Sequence, residues 1–141
     1  MIIKQLSVFL ENTSGRLTEV TGALAAANIN ISAFSVADTA DYGVLRLIVN
    51  KPDEAEKVLK EKAFSVHRTD VVALVVPHEP GGLHRALKIL SAEGISVEYM
   101  YAFAFADRAT VIIRTEEVQQ AIAVFQRHKM ELLKASDIYE I

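Results

Sequence analysis

The chain has 141 residues, of which 51% are hydrophobic and 23% are charged, a composition typical of one globular domain or two small ones. The formal net charge of −3 argues against a nucleic-acid partner, because affinity for phosphate backbones depends mainly on Lys and Arg. There is no cysteine to form a disulfide or a zinc site. No apolar run is long enough to cross a membrane. We therefore expect a cytoplasmic protein without a membrane partner.

The first half of the chain predicts the order strand, helix, strand, strand, helix, strand. The first strand covers residues 2–10, where Leu6, Val8 and Leu10 alternate with more polar positions. Ser14 is a candidate N-cap for the helix that follows, and Asn28 is a candidate stop for it. The remaining elements are strands at 29–36 and 44–49 with a turn at 38–43, a helix from Asn50 as cap through Pro52 to about 62, and a short strand from 64.

The second half repeats the same order. Strands are predicted at 71–76, 95–105 and 109–114, helices at 82–93 and 116–128, and a short strand within 132–139. Gly81 follows Gly15 by 66 positions, and the same offset pairs Leu17 with Leu83 and, without a gap, seven more apolar positions. This regularity indicates an internal duplication. We therefore expect two units, 1–69 and 70–141.

Two copies of a βαββαβ order predict an α+β fold made of two tandem ferredoxin-like units. Each would be an antiparallel sheet with both helices on one face. Aromatic rings alternate along one strand of the second unit, at Tyr99, Tyr101, Phe103 and Phe105. We expect Met100 and its counterpart Phe34 to lie in the cores, so that the rings face away from the helices. The other half of the chain or a second chain could cover those rings, and we favour a homodimer.

The turn between the first strand and the first helix, 11–17, is the main candidate binding element. A helix that begins there presents unpaired N–H groups and the positive end of its dipole, which suit a carboxylate or phosphate. Gly15 lets the backbone approach a ligand closely. Many such turns bind nothing, but here the arrangement occurs a second time at 77–83.

Polar side chains beside these turns could contact a ligand. Asn12 and His78 each stand three positions before the turn glycine, although for each residue taken by itself ordinary turn hydrogen bonding or a solvated histidine is the favoured explanation. Asn30 and its counterpart Ser96 stand near the start of the second strand of each unit, where an outward-facing polar residue is common. His78 with its neighbours Glu79 and His84 does not match the spacing of a metal site.

The motifs of both halves resemble one known family. The first half has Asn12-x-x-Gly15-x-Leu17 and then Ala27-Asn28-Ile29-Asn30-Ile31, and the second has Glu79-Pro80-Gly81-Gly82-Leu83 and then Glu93-Gly94-Ile95-Ser96-Val97. This pattern resembles the ACT domain, in which a strand leads into Asn-x-Pro-Gly-x-Leu, a helix, and Asn-Ile at the second strand. Nearly the whole chain is similar to stand-alone tandem ACT proteins.

The resemblance implies a non-enzymatic sensor that needs no cofactor. ACT domains bind small effectors, mainly amino acids, at an interface between two units, with backbone amides of the first turn holding the carboxylate. The implied partners are a free amino acid and an enzyme or regulator controlled in trans. The implied ligand-binding residues are Asn12, Gly15, Arg16, Leu17 and Asn30 in the first half and His78, Gly81, Gly82, Leu83 and Ser96 in the second.

The sequence departs from the family pattern in both turns. Ser14 replaces the proline in the first, and His78 and Ser96 replace the two asparagines in the second. We expect the two turns to differ in binding and favour the first, which keeps both asparagines.

Three other functions stay open. An ACT pair can persist as a dimerisation module without a ligand. Acylphosphatases share the ferredoxin-like fold and use an Arg and an Asn, for which Arg16 and Asn30 are the candidates, although their Gly-rich approach is missing. An RRM-type RNA-binding module is least favoured, because the third strand of each unit carries no stacking aromatic residues.

Overall fold

The computed structural model describes residues 1–38 and 41–139. The elements are β1 (Ile3–Glu11), α1 (Arg16–Ala26), β2 (Ile31–Asp38), β3 (Tyr42–Val49), α2 (Pro52–Glu61), β4 (Ser65–Pro77), α3 (Gly82–Ala92), β5 (Tyr99–Phe105), β6 (Arg108–Arg114), α4 (Val118–Arg127), β7 (Glu131–Leu132) and α5 (Ala135–Tyr139). The predicted turn at 38–43 includes residues 39 and 40, which lie outside the described residues.

The N-terminal unit comprises Lys4–Thr69 and the residues from Ser136 onward. Its strand order is β2-β3-β1-β4, with antiparallel pairs such as Val8 opposite Leu45. Alternate residues of β1 and β3 form one buried cluster with the inward faces of α1 and α2, which includes Val20, Leu24 and Leu59. Both helices therefore lie on the same face of the sheet, as a ferredoxin-like unit requires.

The C-terminal unit comprises Met1–Ile3 and Asp70–Ala135 and repeats this plan. Its strand order is β7-β4-β6-β5, and Val111 and Ile113 of β6 join the core beneath α3 and α4. Tyr101 pairs with Ile112. Ile112 is buried but does not belong to the core on the helix side of the sheet, so it points to the opposite face. The aromatic rings of β5 thus face away from the helices, as predicted.

Two predicted core positions are exposed instead. Phe34 pairs with Leu47 and Met100 with Ile113, so both lie on the helix side of their sheets. Their residues are nevertheless 65% and 40% exposed. Both stand on strands at the edge of the sheet, beyond the part that the helices cover, so alternation predicted the correct face but not the burial.

Several element boundaries differ from the prediction. The strands expected at 64–66 and 71–76 form one strand of 13 residues, β4, because the polar residues between them include no Gly or Pro that would interrupt it. The short strand predicted within 132–139 is β7, which lies earlier and ends at Leu132, and helix α5 occupies most of the remaining residues. In α5, Ile138 is buried and the hydroxyl of Tyr139 accepts a hydrogen bond from the Lys4 N–H at 3.0 Å.

The predicted side-chain caps are also wrong. The N-cap of α1 is Gly15 rather than Ser14, and that of α2 is Lys51 rather than Asn50, and neither has a side-chain cap bond. The Oδ1 of Asn50 accepts the backbone N–H of Asn30 instead, at 2.9 Å. Pro52 does occupy the first turn of α2, and Asn28 has the left-handed φ of 58° expected after a helix end.

Candidate functional site

The turns after β1 and β4 are built by the same hydrogen bonds. The N–H of Asn12 donates to the carbonyl of Asp41 at 3.1 Å, and the N–H of His78 donates to the carbonyl of Asp107 at 2.7 Å. The next N–H in each turn donates two residues back, from Thr13 to Glu11 at 2.8 Å and from Glu79 to Pro77 at 3.0 Å. The duplication therefore extends to the backbone geometry of the candidate site.

A left-handed glycine starts the helix in both turns. Gly15 has φ 90° and Gly81 has φ 86°, values that favour glycine whatever surrounds it. A Cβ on Gly15 would meet no atom within 4 Å. The backbone conformation therefore requires glycine at both positions. The sequence interpretation had instead explained Gly15 by close approach of the backbone to a ligand. At Gly82 close approach does apply, because a Cβ there would stand 2.2 Å from the carbonyl oxygen of Pro77.

Each helix begins with amide groups that have no helical acceptor. The first helical bonds run from Glu19 to Gly15 and from Arg85 to Gly81, both at 3.0 Å. The preceding N–H groups of Leu17 and Thr18, and of Leu83 and His84, donate no backbone hydrogen bond within the described residues. All four residues are exposed at the positive end of a helix dipole. This combination favours a bound anion such as a carboxylate.

The second turn borders a cavity of about 330 Å³. Its lining consists of Val76, Pro77, His78, Glu79, Leu83, Ala102, Phe103, Ala104, Ala109 and Val111. The strand pairings place Ala102 opposite Val111 and Ala104 opposite Ala109, on the helix side of the sheet. The cavity is therefore a corner of that face beside the start of α3. Its volume is at the small end of the range for ligand sites, about 300–1,000 Å³.

The charged groups near the turns make mostly local pairs. Glu79 and Arg85 form an ion pair of 2.8 Å at the mouth of the cavity, with both side chains 56% exposed. Such an exposed pair contributes only about 0–1 kcal/mol, so a bound ligand can replace it at little cost. At the first turn, Arg16 pairs with Glu19 at 2.8 Å and its guanidinium carbon lies 4.6 Å from the ring centroid of Phe64. These contacts hold Arg16 against its own unit.

The candidate residues near the second strands lie far from the turns of their own units. Asn30 precedes β2, whereas Asn12 bonds to Asp41 beyond the other end of that strand. A strand of this length extends over about 25 Å, so one ligand cannot touch both asparagines of one unit. Ser96 precedes β5 and is separated from His78 in the same way.

The structure groups some of the predicted residues and adds others. His78 and Leu83 line the cavity together, and Gly81 and Gly82 shape the turn beside it. Val76, Ala102, Ala104, Ala109 and Val111 were missed by the sequence interpretation. The available signal was the pair of alanines, Ala102 and Ala104, that alternate with aromatic residues in β5 and leave room on one face of the strand.

Comparison with protein families gives one match over the full length. The family model described as an ACT domain pair matches residues 1–141. The chain belongs to the ACT domain pair family. This family consists of regulatory small-molecule-binding modules and is generally non-catalytic. A comparison with curated proteins gave no match.

Solved structures support the same fold. Protein BT0572 from Bacteroides thetaiotaomicron is 52% identical, with a TM-score of 0.97 over 100% of this chain and 98% of that one. The ligand-free regulatory subunit of aspartate kinase from Thermus thermophilus is 17% identical, with a TM-score of 0.65 over 88% of this chain and 91% of that one. At that identity the second likeness concerns the fold alone.

The described residues offer neither a membrane-spanning helix nor a metal site. No helix in residues 1–38 and 41–139 is both long and apolar enough to cross a membrane. The same residues contain no group of three or more His, Asp or Glu side chains arranged to hold a metal ion.

Proposed function

We propose that this protein is a cytoplasmic, non-enzymatic sensor that binds a free amino acid and regulates a partner enzyme or regulator in trans. The observation that carries the proposal is the second turn, where the unpaired amides of Leu83 and His84 adjoin a cavity of about 330 Å³. An amino acid matches both features, since its carboxylate can accept from the amides while its side chain enters the cavity. The first turn, which the sequence favoured because it keeps both asparagines, has equivalent amides and becomes the second candidate, because the cavity adjoins the second turn.

The expected affinity suits the sensing of metabolites. Hydrogen bonds to a charged group contribute roughly 1.5–3 kcal/mol each. Two such bonds, less the entropy lost on binding, give an affinity suited to sensing rather than to tight storage. The exposed carboxylate of Glu79 lies at the cavity mouth and is suited to the ligand ammonium group. The proposed contacts are Gly81, Gly82, Leu83 and His78, with Asn12, Gly15 and Leu17 at the first turn.

Homodimerisation belongs to the same proposal. Phe34 and Val36 are 65% and 49% exposed on β2, which is an edge strand of the N-terminal unit. Apolar side chains on an open edge favour pairing with another chain. An ACT unit of a second copy would also close an otherwise open ligand site and bring the distant contacts Asn30 or Ser96 to a turn.

Thermal unfolding in the presence of each of the twenty amino acids tests the function directly. A ligand present at about 100 times its Kd adds roughly 2.7 kcal/mol to the free energy of unfolding, which is readily visible as a higher midpoint. We expect one chemical class of amino acid to raise the midpoint, with calorimetry giving a saturable isotherm. Absence of binding by every amino acid at millimolar concentration would leave the ligand-free dimerisation module as the better interpretation.

A further inference from the structure

The two turns share a backbone but not a cavity lining. At the positions equivalent to Ala102 and Ala104, the first unit has Val36 and Asp38. Ala102 lies on the helix side of β5, as Val36 does on β2, and opposite equivalent partners, Val111 and Leu45. The second unit therefore has smaller side chains than the first at the positions that border its ligand turn.

The cavity that results is apolar below its mouth. Apart from His78 and Glu79, every lining residue is apolar, and the deepest contacts come from the buried Val76 and Val111. A charged or strongly polar group placed there would give up its hydration without gaining a partner. An apolar group would remove both its own surface and that of the cavity from water.

We propose that the second turn selects amino acids with apolar side chains, and that Ala102 sets the size of side chain that it accepts. This inference rests on the proposed function, because the amides of Leu83 and His84 must hold the carboxylate before a side chain can enter the cavity. The ligand class is thus valine, leucine, isoleucine, methionine or phenylalanine, in preference to glycine, aspartate or lysine.

Calorimetric titration of the full chain with leucine, phenylalanine, glycine, aspartate and lysine tests the selectivity. We expect leucine or phenylalanine to bind at least tenfold more tightly than the other three, because each methylene in an apolar pocket contributes about tenfold or more. This comparison uses the parent protein and does not depend on how any variant folds.

The variant Ala102→Val tests the role of the alanine. Valine is the residue that the first repeat has at this position, and it suits a strand, so the fold should be retained. We expect leucine affinity to fall about tenfold or more, with a smaller loss for alanine as ligand. Ala123→Val is the matched control, since it adds the same two carbons at an exposed position of α4 that does not line the cavity, and it should bind leucine like the parent.

The outcomes separate this inference from the proposed function. If amino acids bind but aspartate or lysine is preferred, or if Ala102→Val leaves leucine affinity unchanged, the selectivity inference is wrong while amino-acid sensing stands. If no amino acid binds, both are wrong.

Discussion

The backbone N–H of His78 donates to the carbonyl of Asp107 at 2.7 Å, which ties the turn after β4 to the turn between β5 and β6. This bond holds together two walls of the candidate cavity, because His78 lines one wall and Ala104, three residues before Asp107, lines the other. The same bond between Asn12 and Asp41 holds the first turn, at 3.1 Å. The duplicated geometry makes matched variants possible.

Introducing a carboxylate at the second turn should abolish ligand binding without unfolding the protein. In Leu83→Asp the new charge lies in the first turn of α3, where the helix dipole favours it by about 0.3–1 kcal/mol, but where it repels the carboxylate of the ligand. We expect at least a tenfold loss of amino-acid affinity by calorimetry, with no decrease in the thermal midpoint. Leu17→Asp places the same charge at the first turn and should leave affinity intact. The reverse result would move the site to the first turn.

Gly82 and Gly22 should respond in opposite ways to alanine. A Cβ at Gly82 would overlap the carbonyl oxygen of Pro77, at 2.2 Å, whereas one at Gly22 would meet no atom within 4 Å. We expect Gly82→Ala to lower the free energy of unfolding by about 1–3 kcal/mol through overpacking. Gly22→Ala should raise it by about 0.5–1 kcal/mol, because alanine is favoured inside a helix. Urea unfolding of both variants measures these changes, and equal effects would contradict the packing assigned to Gly82.

Acidification should weaken an ion-pair network between α2 and β4. Glu56 accepts a hydrogen bond from Lys60 at 3.0 Å and one from Arg68 at 2.5 Å, and these bonds lower the pKa of Glu56 below its ordinary value of 4.5. A lowered folded-state pKa stabilises the protein above pH 4.5, and that stabilisation is lost as the pH falls through the folded value. The side chain of its partner Lys60 is 54% exposed, so solvent screens the pair and the effect should be modest.

The variant Glu56→Gln isolates that contribution. At pH 7 we expect it to reduce the free energy of unfolding by about 0.2–1 kcal/mol, and the difference from the parent should vanish at low pH, where Glu56 is protonated. Glu61→Gln, at the exposed C-terminal end of the same helix, serves as the control and should not lower the free energy of unfolding, because a helix C-terminus does not favour an acidic group. If the difference in the free energy of unfolding between Glu56→Gln and the parent does not depend on pH, it does not come from the charge of Glu56 and the prediction is wrong.

Charge on the edge strand β2 should dissociate the proposed homodimer. Phe34→Lys places an ammonium group at an exposed apolar position, where it opposes strand pairing between copies. We expect light scattering at micromolar concentration to give a dimer for the parent and a monomer for Phe34→Lys. Ser91→Lys, on the exposed side of α3, should remain dimeric. A monomeric parent would contradict the dimer proposal.

The sequence by itself determined the duplication, the βαββαβ order and the side of the sheet on which most side chains lie. These features follow from local alternation, helical spacing and turn residues, which one segment carries without its neighbours. The left-handed glycines before α1 and α3 were located for the same reason. Even the motif that resembles ACT domains depends on a single turn and the strand after it.

Tertiary structure alone decided where the cavity lies and which glycine is crowded. The cavity requires β5 to pair with β6 so that Ala102 stands opposite Val111, beside a turn 24 residues earlier, at His78. Likewise, the exposure of Phe34 follows from its place on an edge strand beyond the helices, and the crowding at Gly82 from the position of the Pro77 carbonyl. Such properties depend on pairing register and on which surfaces other elements cover, and a pattern within one segment does not contain either.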